Sequence, residues 1–366
     1  MTLTTNIKVG DALPATLNEE RRAINALASS LAGYVFVTPG DNVQAAIDAC
    51  LPGGTVYFLP GIHRFTTLTI DKVVTFESGG GETPYSSVFQ NIAWANADHY
   101  TGTVLVSDTA DGIAIDASAA TARLTLRNIQ LANTTTARNT ATGISIANQS
   151  EITWQNVAFY NFYLGLYSTI VHMSTFSQMR FRGCATGWYA TVCNGNHISG
   201  ISPTSCGIGV QWHGGVSIFT GGAVQACSDI GIELLATGEE NTLLGIYFEN
   251  KTANYGLLVR QGSDGHFIAN CHMGDTGDSV LLGGSGCVLY VPKYQYGAVT
   301  VSGNYNRVYT PQHITPVNTG SNNIITTVKA GGVQYLAGTP ALKSANGTLY
   351  KLAVADDGAL STEAVL

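Results

Sequence analysis

Charge is what this sequence has least of. Only 11% of its 366 residues are Asp, Glu, Lys or Arg, against about a quarter in ordinary globular chains. The formal net charge is −7, so no basic stripe is available to neutralise phosphates, and a nucleic-acid partner is not expected. No apolar run reaches the roughly 18 residues of a membrane-spanning helix. The N-terminal stretch MTLTTNIKVGDALPAT lacks a basic region followed by an apolar core, so no signal peptide is expected. CxxC pairs are absent among the seven cysteines, which excludes the usual zinc arrangements. The thiols are therefore expected to be reduced, buried, small apolar groups. The eight histidines show no metal-binding spacing, and no phosphate loop or nucleophile elbow appears. GDTGD (274–278) offers Asp275 and Asp278 at a spacing too weak for calcium and reads as a solvated turn. No metal and no cofactor is expected.

What the chain has in quantity is glycine, 42 residues, and the glycines keep time. A glycine followed by apolar–x–apolar recurs at Gly143, Gly165, Gly187, Gly209, Gly231 and Gly256, in steps of 22, 22, 22, 22 and 25. A second series runs beside it from Asn156 through Gln178, Gly200, Gly221 and Gly245 to Asn270, in steps of 22, 22, 21, 24 and 25. A period of this length means stacked repeats. The leucine-rich ladder is missing and no helical segment fits within a rung. The unit is thus two or three short strands, and the fold expected is an all-β, right-handed parallel β-helix with about 4.8 Å between rungs. Cys184, Cys206 and Cys227 fall at matching positions of successive rungs, an interior stack of small residues.

A solenoid end needs a cap. In TPGDNVQAAIDACLPGGTVYFLPGIHRF, Asp41 is expected to cap a short helix, with Gln44 completing the box and Val43, Ile47 and Cys50 on the inner face. This capping helix, the strand-turn-strand GGTVYFLPGIHRF and the glycine-punctuated rungs resemble the pectate-lyase-like β-helix superfamily over roughly residues 35–310. Within it the likeness is greatest to trimeric tailspike and tail-fibre proteins of bacteriophages. The pectate lyases' own cluster of Asp with Arg and Lys on adjacent rungs is missing. The resemblance implies a homotrimer in the virion tail, made in the bacterial cytoplasm and acting at the host surface. It implies as partners other tail or baseplate proteins and a bacterial surface glycan.

Three segments follow. Residues 1–33 carry an extended arm and a helix, LNEERRAINALASSLA, bounded by a Thr16/Glu19 capping box and Gly33. Its Leu17, Ile24 and Leu31 are seven apart, fitting either a three-stranded assembly helix or one lying across the solenoid's end. Residues 34–310 are the β-helix. Residues 311–366 are expected to be a linker and a β meander with Asn-Gly and Asp-Gly turns, stable only when copies intertwine.

Strand alternation assigns the outward residues. One column reads Ser145, Tyr167, Tyr189, Gln211, Glu233 and Leu258. The other carries Arg180 with Arg182, Ser202 with Thr204, Ala223 with Gln225, Tyr247 with Glu249, then His272. Rings beside amides suit sugar faces and hydroxyls, so Tyr167, Tyr189, Gln211, Tyr247, Gln225 and His272 are the candidate glycan contacts. A solvent face or subunit interface is the alternative. Glycoside hydrolysis needs two carboxyls about 5–5.5 Å or about 6.5–9.5 Å apart. No vertical pair supplies them. Glu233 and Glu249 flank the turn LATGEENT and are the candidate acid–base or nucleophile pair if they converge across a corner. The readings in contention are a glycan-binding spike, a depolymerase (hydrolase before lyase) and a purely structural fibre.

Overall fold

A computed structural model describes residues 33–79, 103–134, 140–250, 253–275, 279–291, 293–294, 297–311, 313–314, 316–328, 334–337, 342–343, 349–354 and 360–365. The arm and helix expected before residue 33, Asp278 of GDTGD and the turns of the C-terminal meander lie outside them. The described chain is an all-β parallel solenoid with one helix. One sheet stacks eleven strands, all parallel, from Leu68–Thr69 to Val317–Asn318. A second sheet of nineteen strands wraps the other faces. Its strands bend part-way, and between residues 242 and 294 each divides in two, as in Thr242–Leu244 and Tyr247–Glu249.

The two periodic series have different physical causes. Residues of the second series sit at the bend in the left-handed backbone region, with φ of 53° at Asn156, 54° at Gln178, 65° at Gly200, 62° at Gly221, 65° at Gly245 and 55° at Asn270. Gly and Asn tolerate that conformation best, which is why they mark the corner. Glycines of the first series need space instead. A Cβ on Gly143 would lie 2.5 Å from the carbonyl oxygen of Gly165, and one on Gly165 would lie 2.6 Å from that of Gly187. Gly187, Gly209 and Gly231 meet the next glycine's carbonyl in the same way. Each rung thus lies on the next without a side chain between them.

Past these glycines the first and third residues point inward: Ile144 with Ile146, Trp188 with Ala190, Val210 with Trp212 and Leu257 with Val259 are fully buried, as are Leu166 and the polar Ser168 after Gly165. The rings interlock from rung to rung, with Trp188–Trp212 centroids 5.2 Å apart and Trp212–Phe219 5.0 Å apart. All seven cysteines are free and buried, and burial pushes the Cys271 and Cys287 thiols up to about 11. They are packing groups, not nucleophiles.

A buried polar ladder climbs one corner. The backbone N–H of each rung donates to a side chain one rung on: Ser174 to Asn196 Oδ1 (3.0 Å), Asn196 to Ser217 Oγ (3.2 Å), Ser217 to Asn241 Oδ1 (3.1 Å) and Asn241 to His266 Nδ1 (3.1 Å). It resumes from Cys287 to Asn306 and from Asn306 to Asn323, both 2.8 Å. Corner amides with no room for water are satisfied this way.

At the N-terminal end the helix Val43–Ala49 is capped by Asn42, whose side chain accepts from Ala45 N–H at 3.0 Å. The sequence pointed to Asp41. Its carboxylate instead accepts from the backbone N–H (2.7 Å) and hydroxyl (2.8 Å) of Thr38, closing the preceding turn. Gln44 makes no box: its Oε1 accepts from Thr69 N–H at 2.9 Å and ties the helix to the first coil. Parallel stacking also runs past residue 310, because Arg307–Pro311 pairs with Ile324–Val328. Coils there shorten, from Val288↔Arg307 (a step of 19) to Arg307↔Ile324 (a step of 17). The 22-residue glycine signal fades for that reason. Further on, Leu342–Lys343, Leu349–Val354 and Leu360–Val365 form an antiparallel sheet.

Candidate functional site

Pairing registers set the outward columns. On the eleven-stranded sheet Ser145, Tyr167, Tyr189, Gln211, Glu233 and Leu258 stand directly above one another. The Tyr167 and Tyr189 rings stack at 5.8 Å and 29°. One rung on, Gln211 Nε2 donates to Glu233 Oε2 at 2.7 Å. Arg260, from the rung above, grips the other carboxylate oxygen through both Nε and Nη2 at 2.5 Å. Glu233 is left 1% exposed, while the Arg260 side chain is 52% exposed. Beside this group the His213 ring bonds the Thr237 hydroxyl.

On the nineteen-stranded sheet, Arg182, Thr204, Gln225 and Glu249 share one column, with Arg180 aligned to Ser202 in the next. Gln225 Nε2 donates to Glu249 Oε2 at 2.8 Å, repeating the Gln–Glu rung contact of the other sheet. Tyr247 lies beside it, and its ring meets that of His272 at 4.9 Å. His272 is paired with Tyr247, not stacked over Glu249. The half-buried Glu249, Gln225, Tyr247 and His272 therefore form one patch, and Tyr167, Tyr189 and Gln211 belong to another.

The turn LATGEENT does not join the strands of the two candidate carboxylates directly. Strand Thr242–Leu244 and the bend at Gly245 stand between them, so Glu233 and Glu249 are on different faces. The sequence reading set Glu233 and Glu249 on either side of one turn, LATGEENT, and gave no place to the strand Thr242–Leu244 between them. Glu233 also has both oxygens engaged and its side chain only 1% exposed, so it is closed to substrate. The turn acids Glu239 and Glu240 are exposed, and Asp264 accepts from Ser285 N–H at 2.7 Å. Arg260, the one cation joined to either carboxylate among the described residues, was missed from sequence. Its position two past Leu258 on the outward face was the available signal.

The family model described as periplasmic copper-binding protein (NosD) matches residues 87–261, less than half of the chain. No curated protein matches by sequence. Among solved structures, ORF18 of Geobacillus virus E2 superposes with a TM-score of 0.56 at 15% identity, over 95% of this chain and 71% of that one. The fold is shared with a virus protein. A tailspike, gp49 of Acinetobacter baumannii bacteriophage Fri1, a capsular polysaccharide depolymerase, aligns with a TM-score of 0.48 at 11% identity, over 89% of this chain and 66% of that one. DFA-IIIase from Arthrobacter chlorophenolicus A6 aligns with 0.48 at 14% identity, over 85% and 82%. Copper does not fit the described residues: no group of three or more His, Cys, Asp or Glu side chains is placed to hold a metal ion, and the thiols face the core. No described helix is long and apolar enough to cross a membrane.

Proposed function

We propose that this chain is a bacteriophage tail spike or fibre protein that docks on a bacterial surface polysaccharide during adsorption. It works as a homotrimer in the virion tail, joined through residues 1–33 to other tail or baseplate proteins. The observation that carries this reading is the outward ladder of rings and fixed polar groups: Tyr167 on Tyr189, Gln211 on Glu233, Gln225 on Glu249, Tyr247 on His272. Side chains locked to neighbours at rung spacing present sugar with rigid apolar faces and oriented hydrogen-bond groups, at little entropic cost on binding. The resemblance to tailspikes and the fold shared with a virus protein support the tail placement.

Cleavage is the second reading, and Glu249 is the observation that favours it: a half-buried carboxylate between an amide and a tyrosine. A hydrolase needs a second carboxyl, and the groups set against Glu249 by bond and register, Gln225 and Tyr247, supply none. Binding without cleavage therefore ranks first. The test incubates purified full-length protein with capsule and lipopolysaccharide from its host, following retention on cells, polymer size and new reducing ends. Retention with intact polymer is expected. Shortening abolished by Glu249→Gln, but not by Glu233→Gln, would establish the depolymerase. Neither retention nor cleavage would leave only a structural fibre.

A further inference from the structure

We infer that Arg260 is an anion subsite on the eleven-stranded face, and that the glycan of the proposed function carries a negatively charged sugar, a uronate. The inference rests on that reading and narrows its substrate class.

The geometry begins with Glu233. Its Oε1 takes Nε and Nη2 of Arg260, each at 2.5 Å, and its Oε2 takes Gln211 at 2.7 Å. Such a carboxylate is a fixed support, because burial and full engagement leave no oxygen for solvent or substrate. Both guanidinium contacts fall on one oxygen, so Nη1 and the outer edge of Arg260 stay uncommitted on a side chain 52% exposed. An arginine normally gives up rotamer freedom when it captures an oxyanion. Here the buried Glu233 has already fixed the plane of the fork. A planar, oriented, half-exposed fork matches a carboxylate in two parallel hydrogen bonds. The ligand must also be polar and ringed: Tyr189 lies two rungs below Glu233, about 10 Å along the same column, with Gln211 between. A sugar chain running up this column touches tyrosine at one end and guanidinium at the other. Phosphate on a glycan would satisfy the same fork, and the experiment separates the two.

The test is ligand-observed saturation-transfer NMR on the full-length protein, with free glucuronate and glucose as the observed probes and inorganic phosphate, which has no carbon-bound proton, added as a competitor whose affinity is read from the glucuronate signal it displaces. Glucuronate is expected to receive saturation and glucose far less. The glucuronate signal should fall at least tenfold in Arg260→Gln and partly recover in Arg260→Lys. Removing Arg260 strands a buried carboxylate, so the double variant Glu233→Gln with Arg260→Gln, which leaves no unpaired charge, is measured beside it and should lose the signal equally. Phosphate held more tightly than glucuronate would overturn the uronate assignment and point to a phosphorylated glycan. Glucuronate and glucose binding alike, or a signal that survives both variants, would overturn the subsite. Retention of the same variants on host cells then separates the failures. Undiminished retention refutes this inference and keeps the adhesin, whereas no retention of the unaltered protein sinks the adhesin itself.

Discussion

His266 makes this solenoid sensitive to acid at one rung of its buried ladder. The ring is fully buried, its Nδ1 accepts from Asn241 N–H at 3.1 Å, and its Nε2 faces Ser263 Oγ at 2.7 Å. That pattern requires the neutral tautomer with the proton on Nε2, which donates to the serine. Burial pushes its pKa down to about 4, against an opposing pull from the Asp264 carboxylate. In the unfolded chain the ring titrates near 6.5. Between those values the unfolded chain binds a proton that the folded chain refuses, so stability rises with pH across the window. The contribution is complete above pH about 6.5 and falls as pH drops toward 4. A gap of this size is worth about 3 kcal/mol. His266→Asn is the matched control, because Asn241 and Asn306 already serve as ladder acceptors and Asn does not titrate. Urea unfolding of both proteins at pH 7.5, 6, 5 and 4 should show the original losing about 3 kcal/mol more than the variant. Equal pH slopes, or an imidazole titrating near 6.5 by NMR in the folded protein, would refute the reasoning.

Two further outcomes follow from the backbone. Gly165→Ala places a methyl 2.6 Å from Gly187 O and 2.9 Å from Phe181 Cδ1, and overpacking of this kind costs about 3 kcal/mol; an unchanged denaturation midpoint would contradict the contact. Val216 holds φ at 53° with its side chain 62% exposed, where the preceding rung has Gly195 at φ 66°. Val216→Asn should therefore raise stability by about 1 kcal/mol, and a loss on the same denaturation assay would show that the valine's contacts outweigh its strain.

How much of this was legible in the sequence differs between inside and outside. The glycine triplets gave the rung length and the inward pairs, and both series belong to the repeat. Their distinct causes were not legible, since a glycine chosen for space and one chosen for a left-handed bend are spelled alike. Gln178 holds the same bend as Gly200, so composition alone underestimates the corner. The ladder was hidden for a related reason: Ser174, Asn196, Ser217, Asn241 and His266 share no residue type, only the ability to accept a hydrogen bond. A chemical role was conserved along the stack while the letter changed. Short late coils escaped because a fixed period was being followed.

The outer faces obey a looser rule, and that is where sequence reading of the site gave out. Alternation assigned Tyr247, Glu249 and Glu233 outward, and the registers agree with that alignment. Yet outward on a sheet is not the same as exposed. Glu233 points away from the core and is nevertheless 1% exposed, because a cation from the next rung lies over it. Whether a carboxylate is a reactive group or a foundation depends on the rung above, 27 residues later at Arg260. In a stacked fold the deciding neighbour of any surface residue is about one coil away in sequence. Glu249 is half-buried, bonded to Gln225 and beside Tyr247, and does not share the burial that Arg260 imposes on Glu233. The same Gln–Glu contact therefore supports an arginine on one face and stays open to substrate on the other, and a variant pair at the two glutamates separates those roles.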